Sequence, residues 1–94
     1  MAKASGHVLQ SEGELEAVII RMKRAQGQIA GVLRMLEEGR SCEEIVHQMA
    51  AVTKAVNTAA VNLIGASLEE CVIEGKKNRE ETIERLQKLF VSLV

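Results

Sequence analysis

The 94-residue chain has no proline, tryptophan, tyrosine or aspartate, and its single aromatic side chain is Phe90. Each absence excludes something. Without aspartate, neither a Ser-His-Asp triad nor an EF-hand calcium loop can be written. Without aromatics there is no stacking platform for single-stranded nucleic acid. Without proline nothing forces a helix to break, and the residues that remain are mostly good helix formers, so the expectation is an all-α chain. No run approaches 18 apolar residues, which excludes a helical membrane span. The start lacks the charged-then-apolar pattern of a secretory leader, and the expected location is the cytoplasm. At this length one domain with a thin core is the ceiling. The net charge of −1 supplies no global attraction for nucleic acid, so such a role would need a local patch.

What is present is helical periodicity. Residues 1–11 lack it and read as a flexible N-terminal arm; residues 12–94 read as a single helical domain. A first helix is expected from about Glu12, with Glu12, Glu14 and Glu16 suited to the positive end of its dipole. Its apolar seam is Leu15, Val18, Met22, Ala25, Ile29, Val32 and Leu36, in alternating steps of three and four. Gly39 is placed to stop it. Ser41-Cys42-Glu43-Glu44 fits a capping box, in which the Ser41 hydroxyl accepts from the Glu44 amide and the Glu44 side chain reaches back. The second seam is Cys42, Ile45, Met49, Val52, Val56, Ala59, Leu63 and Ala66, and the helix should run to about Ile73, with Gly75 ending it. Such a helix spans roughly 45–50 Å, too long for a compact chain of this size, which suggests packing across protomers. A third helix starts near Asn78 or Arg79, with Ile83, Leu86, Phe90 and Leu93 on one side. Glu81–Arg85 and Glu84–Lys88 form favourable i,i+4 pairs along it.

Two cysteines without a secretory leader point to redox or metal chemistry rather than a structural bridge. Cys42 and Cys71 project about 20° apart in direction but roughly 43 Å apart along a straight helix. Within one chain they cannot meet. If two copies of the helix pair antiparallel about Val56, Cys42 of each lies beside Cys71 of the other, giving two equivalent two-thiol sites. The first turn of a helix favours the thiolate at Cys42, whereas Glu69 and Glu70 disfavour it at Cys71. A reactive thiol and a resolving thiol would thus share a site. The competing reading makes both cysteines small core residues. Two thiolates also suit Cu(I), but a third ligand is missing from the helix: one turn before Cys71 stands Ser67. His47 lies off the face of Cys42, and His7 reaches a site only if the arm folds back.

Arg21, Lys23 and Arg24 cluster on the first helix, with Gln28 a turn beyond; Arg21, Arg24 and Gln28 share a stripe beside the seam. Arginine forks suit phosphate and glutamine suits phosphate or base edges. A cluster this small is also what an ordinary solvated face looks like; copies on a symmetric oligomer would add their phosphate contacts together.

Arg21-Met-Lys-Arg-Ala-Gln-Gly-Gln28, Leu33-Arg-Met-Leu-Glu-Glu-Gly-Arg-Ser-Cys42, Gln48-Met-Ala-Ala-Val52 and Leu68-Glu-Glu-Cys-Val72 together resemble the copper-sensitive operon repressor family (CsoR/RcnR type), over about residues 12–94. The resemblance implies three helices per protomer, an antiparallel helical-bundle dimer and a dimer-of-dimers homotetramer. It also implies repression through double-stranded operator DNA, released when an inducer binds between subunits, and no enzymatic activity. By the same resemblance Arg21, Lys23, Arg24 and Gln28 map to the DNA-contacting face, and Cys42 and Cys71 to the sensing thiols. Members respond to Cu(I), nickel or cobalt, formaldehyde or reactive sulfur. Copper sensors of the family carry His where this chain has Ser67; two cysteines without that His resemble the persulfide-sensing, CstR-like branch. The expected inducer is therefore a persulfide or polysulfide, with no cofactor required. The alternative is a Cu(I) sensor using the same two thiolates.

Overall fold

The computed structural model describes residues 7–74 and 79–93. Three helices follow one another: α1 (Glu12–Glu37), α2 (Cys42–Glu74) and α3 (Arg79–Ser92). Among the described residues there is no strand. The all-α, three-helix reading is the fold observed. The expected stop at Gly75 lies outside the described residues; α2 continues at least to Glu74.

The ends of α1 are chemically closed. Ser11 is its N-cap, and the Ser11 hydroxyl accepts from the Glu14 amide at 3.3 Å. At the other end Gly39 takes φ +71°, a conformation that costs a side-chain-bearing residue. Around it the Gly39 amide donates to the Leu36 carbonyl at 3.2 Å, and the Arg40 amide donates to that of Met35 at 3.0 Å. These two bonds are the Schellman pair that satisfies the last carbonyls of a helix. Two residues later the Ser41 hydroxyl accepts from the Glu44 amide at 3.2 Å and starts α2. The reciprocal half of the expected capping box is replaced. The Glu44 carboxylate turns to Arg40 instead, with the Nε and Nη2 nitrogens at 2.9 and 2.7 Å, because a charge-assisted fork outcompetes one neutral amide.

The short turn folds α2 back along α1, so the end of α2 returns to the start of α1. The apolar core is thin: Ala25 and Val32 from α1, and Ile45, Ala59, Ile64, Ala66 and Cys71 from α2. The α1 seam divides lengthwise. Ala25 and Val32 are covered and Val18 partly so, while Leu15, Met22, Ile29 and Leu36 remain exposed. One neighbouring helix covers only one side of a heptad seam, and the other side is left exposed in the single chain. Helix α3 packs on α2 through half-buried Ile83, Leu86 and Leu93, with Phe90 more exposed. Of its two expected ion pairs, Glu84–Lys88 is present at 3.8 Å.

The molecule is a rod, 54 Å long and about 26 Å across, with a radius of gyration of 16.8 Å against roughly 12 Å for a compact chain of this length. Its accessible surface of 7258 Å² exceeds the roughly 5,400 Å² typical of a compact protein of this mass by about a third.

Two substitutions test this packing. Ala59 is almost fully covered, and Ala59→Leu should lower stability by about 1–3 kcal/mol through overpacking. Gly39→Ala should cost about 1–2 kcal/mol through backbone strain, although no neighbouring atom blocks a Cβ there. Urea unfolding followed by circular dichroism measures both; unchanged midpoints would contradict the assignment.

Candidate functional site

The two thiols stand at opposite ends of α2. Cys42 is its first residue and is exposed, in a shallow groove shared with Val46, His47 and Ala50. Val46 and Ala50 follow Cys42 at i+4 and i+8, so the groove runs along one helix face, and it continues past Ala50 to Thr53, Asn57 and Val61. His47, expected off the face of Cys42, lines the same groove. Cys71 is 5% exposed. Neither cysteine forms a disulfide within the chain. The separation estimated from helical rise stands, since a single unbroken helix joins them. Among the described residues no three His, Cys, Asp or Glu side chains are grouped to hold a metal ion. A site using both thiols therefore requires two chains.

The end of α2 holds a feature that periodicity could not reveal. Residues 7–11, expected as part of a flexible arm, form a strap bound to Glu70. One Glu70 carboxylate oxygen, Oε1, accepts from the Gln10 amide at 2.9 Å and meets His7 Nε2 at 2.8 Å; the other, Oε2, accepts from the Ser11 amide at 2.8 Å. The His7 side chain is only 6% exposed. The two backbone donors sit at the positions just ahead of α1, where a helix start has amides to satisfy and welcomes a negative charge. The amide of Gln10 chiefly holds the Glu70 carboxyl below its ordinary value near 4.5, with the Ser11 amide and the His7 imidazole adding to the effect and partial burial opposing it. Ser67, one turn before Cys71, is buried. The fold thus brings His7 to the residue next to Cys71, while Ser67 offers no imidazole there. Ser11 and Glu14 have capping-box spacing, which marks the helix start at Glu12 but carries no signal for the contacts with Glu70.

On α1, Arg21, Lys23 and Arg24 are exposed, and none pairs with a carboxylate among the described residues. Arg21 and Arg24 share a stripe, as expected; Lys23 projects from another side of the helix. Gln28 differs from a displayed recognition residue. It is partly covered, and its Oε1 is buried without a hydrogen-bond partner.

Residues 14–92 match the family described as metal-sensitive transcriptional repressors. The chain is similar to the copper-sensing transcriptional repressor RicR of Mycobacterium tuberculosis, at 35% identity over 77% of this chain and 71% of that protein. It is similar to the copper-sensing transcriptional repressor CsoR of Bacillus subtilis, at 31% identity over 86% of this chain and 82% of that protein. The transcriptional repressor RcnR of Citrobacter koseri is 28% identical over 94% of this chain and 97% of its own length. No solved structure gives a significant match. The match is to repressors rather than enzymes, as the composition suggested. Two of these relatives are named for copper sensing.

The Glu70 junction makes a pH prediction. Because the folded carboxyl titrates below its unfolded value, its stabilising contribution is complete above the ordinary carboxylate range and disappears as pH falls through the lowered value. The amide proton shifts of Gln10 and Ser11, followed by NMR, should titrate together with a midpoint below 4.5, and Glu70→Gln should abolish that titration. A midpoint at or above the ordinary value would show that the carboxylate does not hold the strap in solution.

Proposed function

The chain belongs to the metal-sensitive transcriptional repressor family, and we propose that it is a Cu(I)-responsive member that binds operator DNA as an oligomer and releases it when the ion binds between subunits. The observation that carries this reading is the placement of Cys42 and Cys71 at the two ends of one unbroken helix, facing nearly the same way. In an antiparallel pair of α2 helices, Cys42 lies beside the partner's Cys71, and each pair of thiolates supplies the soft donors that Cu(I) selects. The copper-sensing names of two relatives support the same ion.

His7, held beside Glu70 and so next to Cys71, would be the residue able to add an imidazole that Ser67 does not offer. With its Nε2 engaged by the Glu70 carboxylate, Nδ1 would be the nitrogen left to donate, as in the carboxylate–histidine pairs common behind metal ligands. Pairing of copies is supported by the exposed half of the α1 seam and by the excess accessible surface of the single chain. We take the assembly to be a dimer of antiparallel helical pairs that doubles to a tetramer, working in the cytoplasm. No described helix is long and apolar enough to cross a membrane.

Arg21, Lys23 and Arg24 are the phosphate contacts in this reading, with the amide nitrogen of Gln28 beside them. Helix α1 packs along α2, so closing Cys42 onto the partner's Cys71 shifts the α1 pair. The basic stripes, which must match phosphates on one duplex, then fall out of register.

A second reading keeps a specific observation. Ser67 is buried at the position where copper sensors of the resembled family carry His, and a thiol pair without that ligand suits reactive sulfur: one thiolate would take the outer sulfur of an organic persulfide and release its thiolate, and the second would attack the inner sulfur and release hydrosulfide, leaving a disulfide. One experiment separates the two. Operator affinity is measured by fluorescence anisotropy after anaerobic Cu(I) and, separately, after an organic persulfide. The copper reading expects Cu(I) to weaken binding at least tenfold; release by persulfide alone would replace it with the sulfur reading. Cys42→Ser should keep operator affinity within about twofold without inducer and lose the response. Arg24→Ala should weaken binding to all sequences and lower the salt dependence by about one unit per lost phosphate contact.

A further inference from the structure

We propose that residues 7–11 form a closed gate over Cys71, latched by Glu70, which must open before a thiol-reactive molecule or thiophilic ion from solvent reaches the Cys71 sulfur. The proposal goes beyond the choice of inducer and holds for either one.

The geometry supports a gate rather than a permanent wall. The Ser11 amide meets Glu70, so α1 begins level with that residue. With α1 running back along α2, Cys71 lies at the point where α1 has ended and the strap takes over. Ser67, Glu70 and Cys71 occupy one sector of α2, about 100° wide. Ser67 and Cys71 are both buried, and His7 is tucked in beside Glu70. Among the described residues, the polar hold on this segment is concentrated on one group. Three polar contacts, from His7, Gln10 and Ser11, converge on the single carboxylate of Glu70, and the other side-chain hydrogen bonds of residues 7–11 to described residues stay within residues 8–14. Val8 points largely to solvent, while Leu9 is half-buried and adds a modest apolar contact. A segment whose polar contacts meet on one side chain opens as a unit when that side chain lets go, without disturbing the helices behind it.

The test uses the full chain carrying Cys42→Ser, so that Cys71 is the only thiol. The rate of its alkylation by N-ethylmaleimide at neutral pH is followed by mass spectrometry, with far-UV circular dichroism recorded on every variant. Adding Glu70→Gln should raise the rate at least tenfold with helicity unchanged, and His7→Ala should raise it less, since one contact of three is removed. Unchanged rates in both variants would overturn the gate and assign the burial of Cys71 to helix packing. The Cys42→Ser parent gives an independent reading that needs no further variant. If the strap opens locally, the alkylation rate is flat at low urea. If Cys71 is reached only by global unfolding, the rate climbs with urea in step with the unfolding transition, and the proposal fails.

Discussion

The unbroken length of α2 is the constraint from which the rest follows. Thirty-three residues without a proline make a rod of roughly 50 Å, and neither α1 nor α3 is long enough to bend it into a globule. The rod places one cysteine at each end, leaves the outer side of α1 uncovered, and limits the core of a single chain to a few small or aliphatic side chains and Cys71. Such a chain buries little apolar surface, and the same geometry that denies it a compact core leaves long apolar faces exposed.

That constraint also explains why the chemistry gathers at the ends. In the middle of α2 the groove is lined by small and neutral side chains such as Ala50, Thr53 and Asn57, with Lys54 at its edge. The ends hold the capped thiol of Cys42, with His47 nearby, and the buried thiol of Cys71, with Glu70 and His7 beside it. The end of α2 meets the start of α1 through the Glu70 carboxylate, so a disturbance at Cys71 is one residue from the cap of the helix that carries Arg21 and Arg24.

Much of this was legible in the residues. Gly39, Ser41 and the absence of proline marked the helix limits because caps and breakers act locally, and those boundaries agree with the structure to within a residue or so. The apolar seams were legible as lines but not as surfaces: periodicity says that Met22 and Ala25 share a stripe, but only the position of α2 decides that Ala25 is covered and Met22 is not. The strap was not legible, because its bonds join residues sixty apart in sequence and a backbone amide leaves no mark on composition. The placement of His7 beside Glu70, next to Cys71, was likewise not legible, because His7 lies outside any helical pattern. The Arg21–Arg24 stripe was visible, whereas the inward turn of the Gln28 oxygen was not.

Gln28 has a consequence for the helix that carries the basic stripe. Its Oε1 is buried without a hydrogen-bond partner among the described residues, midway along α1 and on the side of the covered Ala25 and Val32 rather than of the exposed half of the seam. A buried acceptor left without a donor costs about 1–3 kcal/mol. The contact of α1 with α2 therefore keeps one unmet polar group at its edge, one turn from Arg24, and a movement of α1 that wets that oxygen would recover part of the cost.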